Sequence, residues 1–237
     1  MVLAMHMSDG LVNAPTAAAF GLIAVIGLAL AVSRARADLD DRTAPMAGLV
    51  TAFVFAVQMI NFPILPGASG HLLGGALVAI LVGPWVGSLC IAIVLAVQAL
   101  LFADGGLTAL GTNVVNMALV GVFVGYGVAV AMRGLARRSR AGLLATAFVA
   151  ALVNTVVAAM VFVLQYAIGG DGVTSIGTVF GLMVGLHLLI GIGEGVITAA
   201  TVGAVASVRP DLVHLLRGAP PSLELRGTGG AAAGSAT

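Results

Sequence analysis

Of 237 residues, 60% are apolar and only 8% are charged, with a mean hydropathy of +1.17, against roughly 25% charge in an average soluble domain. That balance identifies a multi-pass membrane protein; the net charge of +1 says nothing about partners, and no nucleic-acid partner is expected. All ten basic residues are arginine, so no GxxxxGK[ST] loop exists and any ATP must be consumed by a partner chain.

In chain order, four residues, "MVLA", precede "MHMSDG" at 5–10. There is no basic stretch ahead of the first apolar run and no small-residue cleavage site after it, which argues against a removed signal peptide. Ser8 or Asp9 is expected to cap the turn into that run. A span of about 20 apolar residues crosses the hydrocarbon, and runs occur at 14–32, 44–61, 71–83, 85–103, 112–132, 141–168 and 178–208. Ala17 with Gly21, and Gly27 with Ala31, give the first run small-residue spacing that suits a partner helix or internal packing equally. The third run is short, and "GPW" at 83–85 decides whether it stands alone or joins the fourth.

Arginine placement favours the break. With seven spans and the N-terminus outside, Arg34, Arg36, Arg42, Arg133, Arg137, Arg138, Arg140, Arg209, Arg217 and Arg226 all fall on the cytoplasmic side. The outer segments then carry only Asp9, Asp104 and Asp171, a face suited to a cation. The short third span requires "NFPILPGASG" at 61–70 to dip inward as non-helical backbone, re-entrant in character, because two prolines and two glycines oppose a helix. Such backbone is tolerated at membrane depth where it lines a polar cavity, so His71 is expected to face a pocket. Residues 5–208 form the membrane domain of an all-α fold, and 209–237 form a cytoplasmic tail whose last twenty residues, rich in Gly, Ala, Pro and Ser, lack the apolar mass to pack. The single cysteine, Cys90, can form no intrachain disulfide.

"MHMSDG" at 5–10, "NFPILPGASGHLLGGALVAILVGPW" at 61–85, "QALLFADGGLTALGTNVVNMALVG" at 98–121 and "HLLIGIGEGVIT" at 187–198 together resemble the CbiM/NikM family. These are substrate-specific membrane components of energy-coupling-factor importers for cobalt and nickel. The resemblance runs from Met5 to about Val208, and "SGHLLGGAL" and "DGG" carry most of it. It implies a metal held by the amine of a terminal Met5, the amide and imidazole nitrogens of His6, and His71. It also implies a transmembrane coupling subunit, two cytoplasmic ATPases and a small accessory membrane protein as partners, in the cell membrane. The cargo would be Ni(II) or Co(II), with no catalytic cofactor.

The extra "MVLA" departs from the family pattern. A free α-amine, with a pKa of about 8, offers a lone pair, whereas a peptide-bonded Met5 nitrogen is delocalised into its carbonyl. A start at Met5, a trimmed leader, or a different mode of metal binding would each resolve this, and the first is favoured. A square of nitrogens suits Ni(II) or Cu(II), and Ni(II) binds a deprotonated amide more readily than Co(II), so nickel is favoured.

Asn113 and Asn116 are candidates to orient a ligating imidazole through its other nitrogen, or simply to join helices. Asp104 is read as supporting the site or capping its turn, and Asp9 is a less favoured ligand. His187 and Glu194, seven apart and on one helical face, are either functional or a structural polar contact, and the structural reading is preferred. A vitamin-binding component would need an aromatic pocket, which one Trp and two Tyr do not favour. An intramembrane metalloenzyme would need a motif such as HExxH, which is missing.

Overall fold

The structure, a computed structural model, describes residues 6–60, 62–65 and 68–217, with backbone alone at 62–65 and 68–70. The expected leader at 1–4, Met5, and the expected tail at 218–237 with Arg226 lie outside the described residues. Among the described residues, five helices have the length and apolarity to cross a membrane: α1 (Ala14–Asp38), α4 (Pro84–Leu101), α5 (Leu110–Ala131), α6 (Arg140–Gly169) and α7 (Ile176–Val208). Two more are shorter, α2 (Thr43–Gln58) and α3 (Gly75–Val82). The chain is thus a helical membrane protein. Its one departure among the described residues is a small antiparallel hairpin of β1 (Phe62–Leu65) and β2 (Ala68–Gly70), which fills the proline-rich stretch expected to be non-helical.

Helix ends follow local chemistry. Asn13, rather than Ser8 or Asp9, caps α1: its Oδ1 accepts the Thr16 amide at 3.0 Å, and a proline sits in the first turn. Ser139 and Ser175 cap α6 and α7 in the same way. Between α3 and α4 lies Gly83 alone, at φ +89°, followed by Pro84. The two helices are therefore not fused, because a left-handed glycine and then proline stop one helix and start the next.

The core is built around α3, every residue of which is buried. Small residues let its neighbours close on it, as lipid-embedded helices require. A Cβ at Gly87 of α4 would lie 2.9 Å from Val78, and one at Gly125 of α5 would lie 2.8 Å from the Cα of Ala76. The middle of α5, Val114–Gly121, is wound as a π-helix. At Gly121 there is room for no side chain, since Asn154 of α6 stands 2.8 Å from where its Cβ would be. Leu22, Ile23, Val25 and Ile26 of α1 are exposed, and in a bilayer they meet lipid.

The bundle has two unlike ends. At one, the residues after α7 fold back as 3-10 turns at Pro210–Leu212 and His214–Leu216, burying Val213 and Leu215, so packed structure continues beyond residue 208. Arg133 Nε donates to the Leu215 carbonyl at 2.9 Å and Arg133 Nη2 to the Arg217 carbonyl at 2.6 Å, while Arg217 Nη2 donates to Thr43 Oγ1 at 2.8 Å. His214 lies against Gly83, which places the C-terminal end of α3 here. Arg34 sits 5.9 Å over the Trp85 ring. At the other end, the segment before α1 pairs with the α6–α7 connection, through Asn13 N to Gly169 O at 2.6 Å and Asp171 N to Leu11 O at 3.0 Å. The histidines described next belong to this second end.

Candidate functional site

The segment from His6 to Asp9 is drawn into the bundle by groups on the α4–α5 connection and the start of α5. Asn113 grips the Met7 peptide units from both sides: its Oδ1 accepts the Met7 amide at 2.8 Å, and its Nδ2 donates to the Met7 carbonyl at 3.1 Å. The Gly106 amide donates to that same carbonyl at 2.8 Å. Asp9 Oδ1 accepts the Thr108 amide at 2.8 Å and the Thr108 hydroxyl at 2.5 Å, and these two donors hold the Asp9 carboxyl below the usual carboxylate range. The glycines of "DGG" explain the close approach, for a Cβ at Gly106 would run into the backbone of Ser8 and Asp9. His6 and Met7 are consequently buried, whereas Ser8 stays exposed and lends only its carbonyl to Leu11.

Two imidazoles meet in this buried space. The His6 and His71 rings lie 4.4 Å apart, centroid to centroid, tilted by 33°. His6 Nδ1 is 3.0 Å from Asp104 Oδ1, and the hydrogen bond from His6 holds the Asp104 carboxyl below its ordinary value. His71 Nδ1 is 2.9 Å from the Leu72 carbonyl. A carbonyl only accepts, so Nδ1 carries the proton and the lone pair is on Nε2. Among the described residues, His6 Nε2 and His71 Nε2 are buried with no hydrogen-bond partner. An unpartnered buried nitrogen costs roughly 1–3 kcal/mol, and each such lone pair is available to an electrophile. No three His, Cys, Asp or Glu side chains among the described residues converge as a metal cluster.

Comparison with known proteins identifies the family. The family profile described as "CbiM: Cobalt uptake substrate-specific transmembrane region" matches residues 6–212. The chain belongs to the CbiM family. A putative fused nickel transport protein NikMN of Archaeoglobus fulgidus is 40% identical over 227 residues, covering 93% of this chain and 72% of that protein. A cobalt transport protein CbiM of Sorangium cellulosum is 34% identical, covering 90% of this chain and 96% of that one. A solved structure described as a truncated transition metal transporter superposes with a TM-score of 0.74 at 30% identity, over 86% of this chain and 99% of that chain. This CbiM-family protein is thus a multi-pass membrane component of a cobalt or nickel transport system, and its relatives are described as transport proteins, not enzymes.

The remaining residues singled out in the sequence sort themselves by contact. Asn116 is fully buried on the π-wound stretch of α5, and neither of its amide atoms has a partner among the described residues. His187 donates from Nδ1 to the Met183 carbonyl at 2.6 Å, one turn back in α7, and its Nε2 is also buried and unpartnered among the described residues. Glu194 lies apart from the His6–Asp104 pair: its carboxylate accepts from Leu73 N, Gly74 N, Asn154 Nδ2 and Thr155 Oγ1. Sequence reasoning missed Thr108, Gln58, Asn154 and Thr155. The last two stand on α6 beside Glu194, and a polar pair in an otherwise apolar run was the signal that could have found them.

Proposed function

We propose that this chain captures a divalent transition metal, nickel in preference to cobalt, and that the metal is bound between His6 and His71. The observation that supports this most strongly is the pair of buried imidazoles with ring centroids 4.4 Å apart, with His71 Nε2 unpartnered among the described residues. The donors would be the amine of Met5 as the terminal residue, the His6 amide, a His6 ring nitrogen and His71 Nε2. A six-membered chelate through the amide and ring of one histidine uses Nδ1. Loading therefore turns the His6 ring about Cβ–Cγ and leaves its other nitrogen for Asp104, whose Oδ2 is buried and unpartnered among the described residues. Asp104 then orients the ligating ring, and Asn113 fixes the Met7 peptide so that the neighbouring His6 cannot swing away. Four nitrogens in a plane suit Ni(II), which also deprotonates an amide more readily than Co(II) does. Names of relatives mention nickel in one case and cobalt in another.

In this reading the chain crosses the membrane seven times, with the histidine end outside and the arginine end cytoplasmic. Transport is energised by a transmembrane coupling subunit with two cytoplasmic ATPases, joined by a small accessory membrane protein. The Archaeoglobus relative is described as fused, and this chain spans 72% of it.

The test is metal content. Purified chain beginning at Met5 is expected to carry about one Ni(II), His71→Ala to lose nearly all of it, and His187→Ala to lose little. Equal loss in both variants would mean the site is misplaced. For orientation, a cysteine at Ser175 should react with an impermeant thiol reagent added outside intact cells and one at Ser139 should not; the reverse pattern overturns the topology.

A further inference from the structure

Glu194 stands on α7, 2% exposed, and among the described residues no cation pairs with it. Its Oε2 accepts the Leu73 amide at 2.8 Å and the Thr155 hydroxyl at 2.9 Å; its Oε1 accepts the Gly74 amide at 3.0 Å and Asn154 Nδ2 at 3.1 Å. Four donors, two of them main-chain amides at the N-terminal edge of α3, hold a carboxylate without a counter-cation, because unpaired N–H groups carry partial positive charge at a helix start.

The Leu73 amide belongs to the same peptide unit as the Leu72 carbonyl, and that carbonyl accepts the His71 Nδ1–H at 2.9 Å. A peptide unit is planar and conjugated. One continuous path therefore runs from carboxylate to peptide to imidazole. A second tie on the same loop fixes its place: Gln58 Nε2 of α2 donates to the Leu73 carbonyl at 2.6 Å. Gly74 follows at φ +78°, with Val54 2.8 Å from where its Cβ would stand.

We propose that Glu194 is the positioning residue of His71. Acting through the Leu72–Leu73 peptide, it fixes the ring's orientation, keeps the proton on Nδ1 and strengthens Nε2 as a donor. A carboxylate bonded directly to a ligating histidine does the same for many metal sites; here one peptide unit stands between them, and hydrogen bonds in such a chain polarise one another. The inference rests on the reading that His71 binds the metal.

The test is Glu194→Gln in the full chain, read by Ni(II) affinity and by the absorption spectrum of the bound Ni(II). Gln removes the charge and turns an NH2 toward either the Leu73 or the Gly74 amide. Affinity is expected to fall roughly 10–100-fold, with a changed spectrum. In a His71→Ala background the same substitution should leave the residual affinity unaltered, since coupled residues give non-additive effects. A folded Glu194→Gln chain with unchanged affinity and spectrum overturns the proposal, as does an equal loss in the His71→Ala background. Should Glu194→Gln fail to fold, Glu194→Asp keeps the charge but withdraws it by one methylene; an intermediate loss supports the proposal and full affinity overturns it. Undiminished Ni(II) binding by His71→Ala alone would instead overturn the metal-site reading.

Discussion

The two ends of the bundle use polar groups in opposite ways. At the arginine end, Arg133, Arg137 and Arg217 spend their guanidinium donors on carbonyls and a hydroxyl of distant segments. At the histidine end, Asn113, Thr108 and the Gly106 amide also tie distant segments, yet the ties leave two neighbouring imidazoles, each with an Nε2 unpaired among the described residues. The contrast separates fastening from binding. His214 sharpens it: its Nδ1 is likewise unpaired among the described residues, but its ring neighbour is Tyr126, 3.4 Å from Nε2, and no second imidazole meets it. One orphan nitrogen is a local cost, whereas the neighbouring pair is where the proposed site lies.

The largest effect expected from breaking the histidine end lies at Met5. Acetylating its amine removes a donor and a chelate ring while adding only two carbons. The Ni(II) affinity should fall by more than the roughly 100-fold at the upper end for losing a supporting contact. A chain that retains "MVLA" should lose at least as much, since it turns the same amine into a peptide nitrogen and adds four residues. Titration calorimetry of the three forms decides the matter. Unchanged affinity in the full 237-residue chain, with "MVLA" verified by mass, would mean that other residues build the site.

A smaller loss is expected at Asp104. Asp104→Asn keeps the shape but replaces an acceptor-only group by one that is half donor, so the His6 ring loses its orienting charge. Nickel affinity should drop roughly 10–100-fold, with no change in the thermal midpoint of the metal-free chain beyond a few degrees. A large fall in that midpoint with affinity preserved would show Asp104 to be a fastener like those at the other end.

The helices were legible because hydrocarbon thickness dictates their length. The apolar run at 85–103 became Pro84–Leu101, and that at 141–168 became Arg140–Gly169. The break at Gly83 and Pro84 was legible through arginine placement, and its physical cause is the positive φ of Gly83 followed by proline. His6 and His71 were legible through the company they keep in a family pattern, although nothing in their spacing brings residues so far apart in sequence together. What could not be read was which partner a polar group would choose. Asn113, read as orienting an imidazole or joining helices, holds the Met7 backbone. Asp9 was expected near a cap but is committed to Thr108, while Asn13 caps the helix. Each choice depends on how segments about a hundred residues apart meet. The turns at 210–216 and the π-wound stretch of α5 are equally opaque, because three-residue turns and a single widened coil leave no periodicity in the apolar pattern.

The smallest effect should come from the arginine end, and it should be of a different kind. Arg133→Ala removes the donors to the Leu215 and Arg217 carbonyls, which frees the turn that buries Val213 and Leu215. A hydrogen bond from a charged donor contributes about 1.5–3 kcal/mol, and partial exposure reduces this, so a total loss of about 1–3 kcal/mol is expected. For a chain of this size each kcal/mol lowers the thermal midpoint by roughly 2–4 °C, a shift that a melting curve in detergent resolves. Nickel affinity should not move, because the site is built from the opposite ends of the same helices. If Arg133→Ala instead weakened nickel binding tenfold at an unchanged midpoint, the two ends would be coupled through α3, the one element that runs from the Glu194 amide contacts to Gly83 and His214.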